Sequence, residues 1–510
     1  MNRTLPRTLK ALVGVVLAGA LAATAAPANA AAPAPAEYHV DCRASAGGDG
    51  STDRPWNSLS AVNAHGSYQP GEHILFKRGT SCTGRIAPTG SGTSVAPITI
   101  GAYGSGAKPV LNGNATPSGT GTITLTNVKY WTVQDLAITN KASVKTKSYR
   151  SGLLFFNTGV GRLPGLVARR LSVSNVISSP VQGAQGPRAF GGISALTLGR
   201  KSDGYDDLLI QGNTVTKSGR SGIVVLNNEY PNGYDRNVRI TGNKVTKARG
   251  DSIILLGSKG SRIDDNVSAN GADFWPCPQC KGISPETANA GIWAIRSKGV
   301  RIDHNEVYGE HVKGGDGEGF DIDASAVDVV FEYNYAHDNQ GGGVLLCGSK
   351  NATVRFNIFE NNTKSAIAFI GTYPAKKTAI YNNTIYGSSK SQARPVRYFN
   401  GAHGSGITFK NNIVYNYGFA TWLWPTKPKT SANTLVGLHG AGRPGDSRTS
   451  YVNPGLKKPG SGKNGVKSLK GYKPKHPSSF KKGVAIPSSV KTDFFGKKIN
   501  PKHPPRGAAG

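Results

Sequence analysis

Apolar and polar positions in this chain alternate over short runs, and long stretches of helical period are missing. One run opens at a small residue and continues with alternating apolar side chains. It appears as LLFFN after Gly152, ISALT after Gly192, IVVLN after Gly222, IILLG after Ser252, IWAIR after Gly291, FDIDA after Gly319, VLLCG after Gly343 and IAFIG after Ala366. A second run recurs in eight coils and carries an asparagine: Asn213, Asn243, Asn266, Asn305, Asn334, Asn357, Asn383 and Asn412. Successive asparagines are mostly 23 to 30 residues apart, with one gap of 39 between Asn266 and Asn305. Short alternating runs bounded by Gly, Asn and Asp predict strands, and a strand-turn-strand unit repeated at this period predicts a solenoid. Each coil buries its apolar face only by stacking on its neighbours. Asparagine tolerates the left-handed turn conformation, and stacked copies are expected to form a hydrogen-bonded ladder. Leu136 and Leu171 hold the equivalent position in two earlier coils, so the ladder should start at Asn213. The period is too short for a four-stranded propeller blade. The predicted fold is all-β, a single-stranded right-handed parallel β-helix.

The ends read differently. Arg3, Arg7 and Lys10 precede an apolar stretch from Ala11 to Ala23, and Ala28-Asn29-Ala30 supplies a small-x-small cleavage site. Residues 1–30 therefore read as a secretory signal peptide, and the mature chain is expected outside the cell. No later apolar run is long enough to span a membrane. Residues 31–110 are assigned to an N-terminal cap and first coils, 111–418 to the β-helix, and 419–510 to an irregular segment with a tail rich in Lys, Pro and Gly. Five cysteines suit an oxidising compartment. Cys42 and Cys82 flank the first folded stretch and are expected to pair. Cys277 and Cys280 lie in the long gap of the repeat, and with no second CxxC a local disulfide is favoured over zinc. Cys347 is left to pack as a small apolar residue.

Several segments then point to a family. They are Tyr38-His-Val-Asp-Cys42, Trp56-Asn-Ser-Leu59, the stretch from Gly71 to Gly79, and the Gly- and Asn-bearing coils themselves. Together they resemble the secreted pectin-lyase-like β-helix superfamily over residues 38–418. Asn453-Pro-Gly-Leu456 and Asp493-Phe-Phe-Gly496 resemble its terminal segments. The resemblance implies a polysaccharide lyase, a glycoside hydrolase or a uronan epimerase.

Candidate chemistry concentrates in one coil. Side chains alternate across a strand, so Phe320 and Ile322 should face the core while Asp321 and Asp323 face outward, in columns that are otherwise apolar. Asp316 and Glu318 precede them, in a chain with 29 acids against 61 Lys and Arg. Asp316, Glu318, Asp321 and Asp323 could ligate Ca²⁺, which favours oxygen donors in flexible loops. Asp321 and Asp323, about 6.6 Å apart along a strand, could instead act as an acid–base pair at the lower end of the ~6.5–9.5 Å range of inverting glycosidases. They could also be solvated turn residues. Lys313, His311 and Arg296 are candidate proton-transfer groups for a lyase, and Trp293 and His337 are candidate substrate contacts. The net charge of +32 favours an anionic glycan. Nucleic acid is not expected, because no recognition motif is present. These readings converge on a monomeric extracellular enzyme that degrades polysaccharide, with β-elimination on a uronate-containing glycan preferred over hydrolysis. A non-catalytic cell-wall or glycan-binding protein is the alternative, with the tail as electrostatic anchor or flexible solubilising extension.

Overall fold

Each coil contains three strands, and the ladder asparagine sits at the corner between two of them. In the computed structural model the described residues are 36–141, 148–178, 187–200, 202–272, 289–312, 316–388, 394–401, 404–416, 421–437, 442–476 and 482–510. The proposed signal peptide and the Cys277–Cys280 pair lie outside them. Among the described residues, parallel pairing builds sheets of 14, 13 and 10 strands, with each strand bonded to its equivalents in the coils before and after. What reads in the sequence as one Asn-bearing strand is two strands. In one coil Arg239–Thr241 joins the 14-stranded sheet, Asn243 makes the corner, and Lys244–Thr246 joins the 13-stranded sheet.

Register explains the core. Ile240, Ile263, Ile302 and Phe331 are successive partners in the 14-stranded sheet, and all are fully buried. Ile223, Ile253, Ile292, Phe320 and Val344 form the equivalent column of the 10-stranded sheet. Both columns belong to one continuous core. Burying each such side chain is worth about 1.5–3 kcal/mol, and a parallel sheet needs this cover on its faces.

The corner has a fixed composition. The residue before each ladder asparagine is left-handed: Gly212, Gly242, Asp265, His304, Tyr333, Phe356, Asn382 and Asn411. Gly212 and Gly242 adopt this conformation without a Cβ penalty, whereas Tyr333 and Phe356 do so at a cost. The asparagine offsets that cost. Asn334 Nδ2 donates to the Ile302 and Glu332 carbonyls and to Asn357 Oδ1, and its own Oδ1 accepts from Asn305. The side-chain ladder runs without a break from Asn213 to Asn412 and on to Asn433, with steps of 2.9 to 3.3 Å. Leu136 and Leu171 fill the corner before it, fully buried, as expected. A second, shorter ladder joins the Glu310 backbone, Asn339 and Asn362.

Cys42 and Cys82 are disulfide-bonded, with Cα atoms 5.5 Å apart. Cys347 is free and buried. The sheets extend beyond residue 418 through Lys429–Ser431 and Thr434–Val436. Described residues of the C-terminal segment pack against the solenoid, which corrects the alternative of a flexible solubilising extension. Leu456, Leu469 and Tyr472 pack on Tyr335, Ile358 and Tyr415, while Ile486 and Val490 pack on Tyr333, Phe356 and Tyr381. Arg506, nearly buried, donates to the Asn433 carbonyl, and Gly465 N–H donates to Glu306. Most described lysines of this segment stay at the surface while Leu456, Leu469, Tyr472, Ile486 and Val490 dock. No helix among the described residues is long and apolar enough to cross a membrane.

Asn334→Ala removes a fully buried amide whose partners cannot reach water. Urea unfolding should show a loss of roughly 2–4 kcal/mol, since each orphaned buried group costs about 1–3 kcal/mol. Substitution of the exposed Lys350 should leave stability within about 0.5 kcal/mol.

Candidate active site

The strand Glu318–Ile322 places the acids. Phe320 and Ile322 are fully buried in the core, so Asp321 and Asp323 face outward as the alternation predicts. In-register neighbours of Asp321 are Trp293 before it and Leu345 after it, followed by Ala368 and Arg397. The outward column runs from Thr124 through Leu154, Ser194, Val224 and Ile254 to Trp293, and Ala189 packs against its apolar members. At Trp293 that cover ends. There Arg188, Asp251, Asn289, Ala290, Trp293, Asp316, Asp321 and Asp323 line an open cleft of about 80 Å³.

The cleft is unevenly charged. Asp251 is buried, accepts from Arg220 at 2.7 Å and from the Ala290 N–H at 3.1 Å, and forms an ion pair with Arg188 at 3.3 Å. Arg188 is thereby held with its guanidinium 5.1 Å from the Trp293 ring centre. Glu318 is fully buried and pairs with Arg397 at 3.3 Å, a contact reaching across three coils. Asp323 accepts the Ala324 N–H at 2.6 Å and a hydrogen bond from the Cys347 thiol. Asp321 lies below the opening, 7% exposed, with Oδ1 lacking a partner among the described residues, as do Glu318 Oε2 and Trp293 Nε1. Asp316 and Asp323 are half-buried and reach the opening.

Burial raises all four acids, and repulsion from neighbouring carboxylates adds to it. Burial, then the charges of Asp323 and Asp251, lifts Asp316 to about 6. Burial and then Asp316 lift Glu318 to about 7. Asp321 is pushed well above the carboxylate range by burial and by Asp323, Asp316 and Glu318. Burial also raises Asp323, against the opposing hydrogen bonds from Cys347 and Ala324. Upward-shifted carboxyls gathered at one cleft mark a candidate site for acid–base work.

The remaining candidates separate. Lys313 lies outside the described residues. His311 stands near the rim, where its carbonyl accepts from Asn289 and its ring contacts Gln340 at 3.1 Å. It does not line the cleft. Arg296 turns away, its guanidinium 6.0 Å from the Tyr230 ring centre. His337 belongs to the 13-stranded sheet, stacks on Tyr335 and Tyr308, and contacts Glu306 at 3.1 Å and Asp338 at 2.8 Å. Its place beside Glu306, which the C-terminal segment contacts, removes it from substrate contact at this cleft. Trp293 is at the site, but one ring face is taken by Arg188. Glu318 pairs with Arg397, and among the described residues no three His, Cys, Asp or Glu side chains converge as metal ligands. The sequence reading missed Arg188, Asp251 and Asn289. The only available signal was Asp251 at the start of the IILL strand, the coil position where Glu318 stands.

The family described as a right handed beta helix region matches residues 200–385. A lacto-N-biosidase of Bifidobacterium longum subsp. longum is 27% identical over 571 aligned positions, covering 88% of this chain and 34% of that protein. The chain thus spans about a third of that relative's length. Two crystal structures of a GH136 lacto-N-biosidase from Eubacterium ramulus are 22% identical to it. The native one superposes with a TM-score of 0.57 over 72% of this chain and 68% of the other, and the selenomethionine derivative with 0.56 over 72% and 67%. Parallel in-register sheets, the family match over residues 200–385 and these superpositions agree: the chain has a right-handed parallel β-helix fold.

Proposed function

We propose that this β-helix is an extracellular glycan-cleaving enzyme, a glycoside hydrolase working through Asp316 and Asp323. The observation carrying this reading is one open cleft in which two half-exposed carboxylates stand beside Trp293 over a third, buried carboxyl. Hydrolysis of a glycosidic bond needs one carboxyl that gives a proton and one carboxylate that activates water or attacks the sugar. Asp316, lifted to about 6, fits the acid. Asp323 fits the partner carboxyl, because the Ala324 N–H and the Cys347 thiol bond to it and oppose the upward push of burial. Asp321 keeps its proton beneath them and limits the negative charge of the cleft. Arg188 and Trp293 form a wall against which a sugar ring can be positioned. Likeness to lacto-N-biosidases supports hydrolysis over the β-elimination preferred from charge alone. Elimination needs a base for the proton at C5, and among the described residues lining the cleft there is no Lys, His or Tyr. Arg188 is already engaged by Asp251.

Asp316→Asn and Asp323→Asn should each lower kcat/KM by about 10²–10⁴-fold on the best substrate of a neutral and acidic glycan panel, followed by reducing-end release. Appearance of an absorbing unsaturated product in place of simple hydrolysis products would establish elimination instead.

The general acid must be protonated, so its loss as pH rises sets the alkaline limb. Activity should fall as pH increases through about 6. In Asp316→Asn that limb should vanish from the residual activity, which a pH–rate profile reads directly.

A further inference from the structure

A second site lies at the edge of the face that bears the cleft, on the turn between the 10-stranded and 14-stranded sheets. Parallel bridges fix Arg236, Lys259, Lys298, Val327, Lys350 and Lys376 one above another, one per coil. Strand spacing of about 4.8 Å puts these positions on a line roughly 24 Å long. Five of the six are cations, all exposed. Among the described residues none of the five makes an ion pair within 4 Å. The acids of the neighbouring column are engaged elsewhere: Asp207 accepts from Asn237 at 2.5 Å and Asp328 from Asn351 at 2.7 Å. Asp206, which pairs with Arg236 in the strand register, is bound to Arg162 at 2.6 Å.

The line has a floor at one end. A groove of about 650 Å³ runs beside Tyr234, Arg236, Lys259 and Lys298. Gly260 occupies the next column there, and a Cβ on it would meet nothing within 4 Å. Tyr234 is half-buried and is the one aromatic ring among the described residues lining the groove.

We propose that this column binds a linear anionic polysaccharide of the polyuronate type, laid along the solenoid axis. Like charges stacked coil upon coil repel one another, and a polyanion with regularly spaced carboxylates relieves that repulsion all along the line. A uronan carries one carboxylate per ring, a repeat comparable to the coil pitch, and Tyr234 offers a face for one sugar. Single-stranded nucleic acid fits less well, because its recognition draws on several stacking rings. The site stands apart from the cleft carboxylates and does not depend on what they catalyse.

The test is a binding titration of the full chain at low and high salt with four probes: oligogalacturonate, oligoalginate, a neutral galactan and single-stranded DNA. The triple variant Lys259→Ser, Lys298→Ser, Lys350→Ser should lose uronan affinity by about tenfold or more at low salt. A control with Lys457→Ser, Lys463→Ser, Lys467→Ser in the C-terminal segment should stay within about two-fold of wild type. Salt should weaken wild-type binding, and the galactan should not bind. All substituted lysines are exposed, and thermal unfolding checks that both variants fold as wild type does. Unchanged uronan affinity in the column variant, an equal loss in the control, or tighter binding of DNA than of either uronan would overturn the proposal. Activity in the cleft variants does not enter this result, so failure of the hydrolase reading and failure of this site are separately visible.

Discussion

In-register parallel pairing of each coil with the next is the constraint on which the rest of the molecule depends. Because every strand sits directly on its equivalent, a residue type repeated once per coil becomes a continuous column. Isoleucine columns become the core, asparagine columns become ladders at the corner, and lysine columns become a charged line at a turn. A slip of one residue in a single coil would turn Phe320 out and Asp321 in. It would set a carboxylate among Ile292 and Val344 and break the ladder at the same step. Packing and polar satisfaction therefore enforce the same register.

That register also gathers the candidate active site. The acids come from one coil, Trp293 from the coil before, Asp251 from the one before that, and Arg397 from three coils later. No two of these contributions are close in sequence, yet each is a neighbour in the stack. The electrostatics follow from the placement. Val224, Ile254 and Trp293 precede the acids on the outward face and the acids themselves are largely buried, so burial and neighbouring carboxylates raise them. Glu318 and Asp251 are each answered by arginine, which leaves Asp316, Asp321 and Asp323 as the carboxyls directed at the cleft. The cost of holding them is met by the continuous core beneath.

Much of this was legible in the sequence, for a physical reason. A solenoid writes its structure as a short period, so the Asn ladder, the inward–outward alternation at Phe320 to Asp323, the apolar start at Leu136 and Leu171, and the Cys42–Cys82 bond could all be anticipated. The two-strand nature of the Asn-bearing run could not, because the left-handed corner is made by residues as different as Gly242, Asp265 and Phe356. His337 and Arg296 were misplaced because they are near the acids in sequence, whereas neighbours across the stack matter more. Arg188 was missed for the same reason, arriving from a segment outside the repeat. The C-terminal segment misled by composition: its lysines suggested a free tail, while its sparse Leu, Ile and Tyr residues dock on aromatic side chains of the solenoid.

The central claim is that register brings the carboxyls of one coil and the tryptophan of the previous coil to a single glycan-cleaving cleft. A crystal structure of Asp316→Asn with an uncleaved oligosaccharide bound tests it most directly. The account predicts a glycosidic oxygen between positions 316 and 323, with a sugar ring against the wall made by Trp293 and Arg188. An oligosaccharide seated productively elsewhere, with this cleft closed to it, would contradict the account.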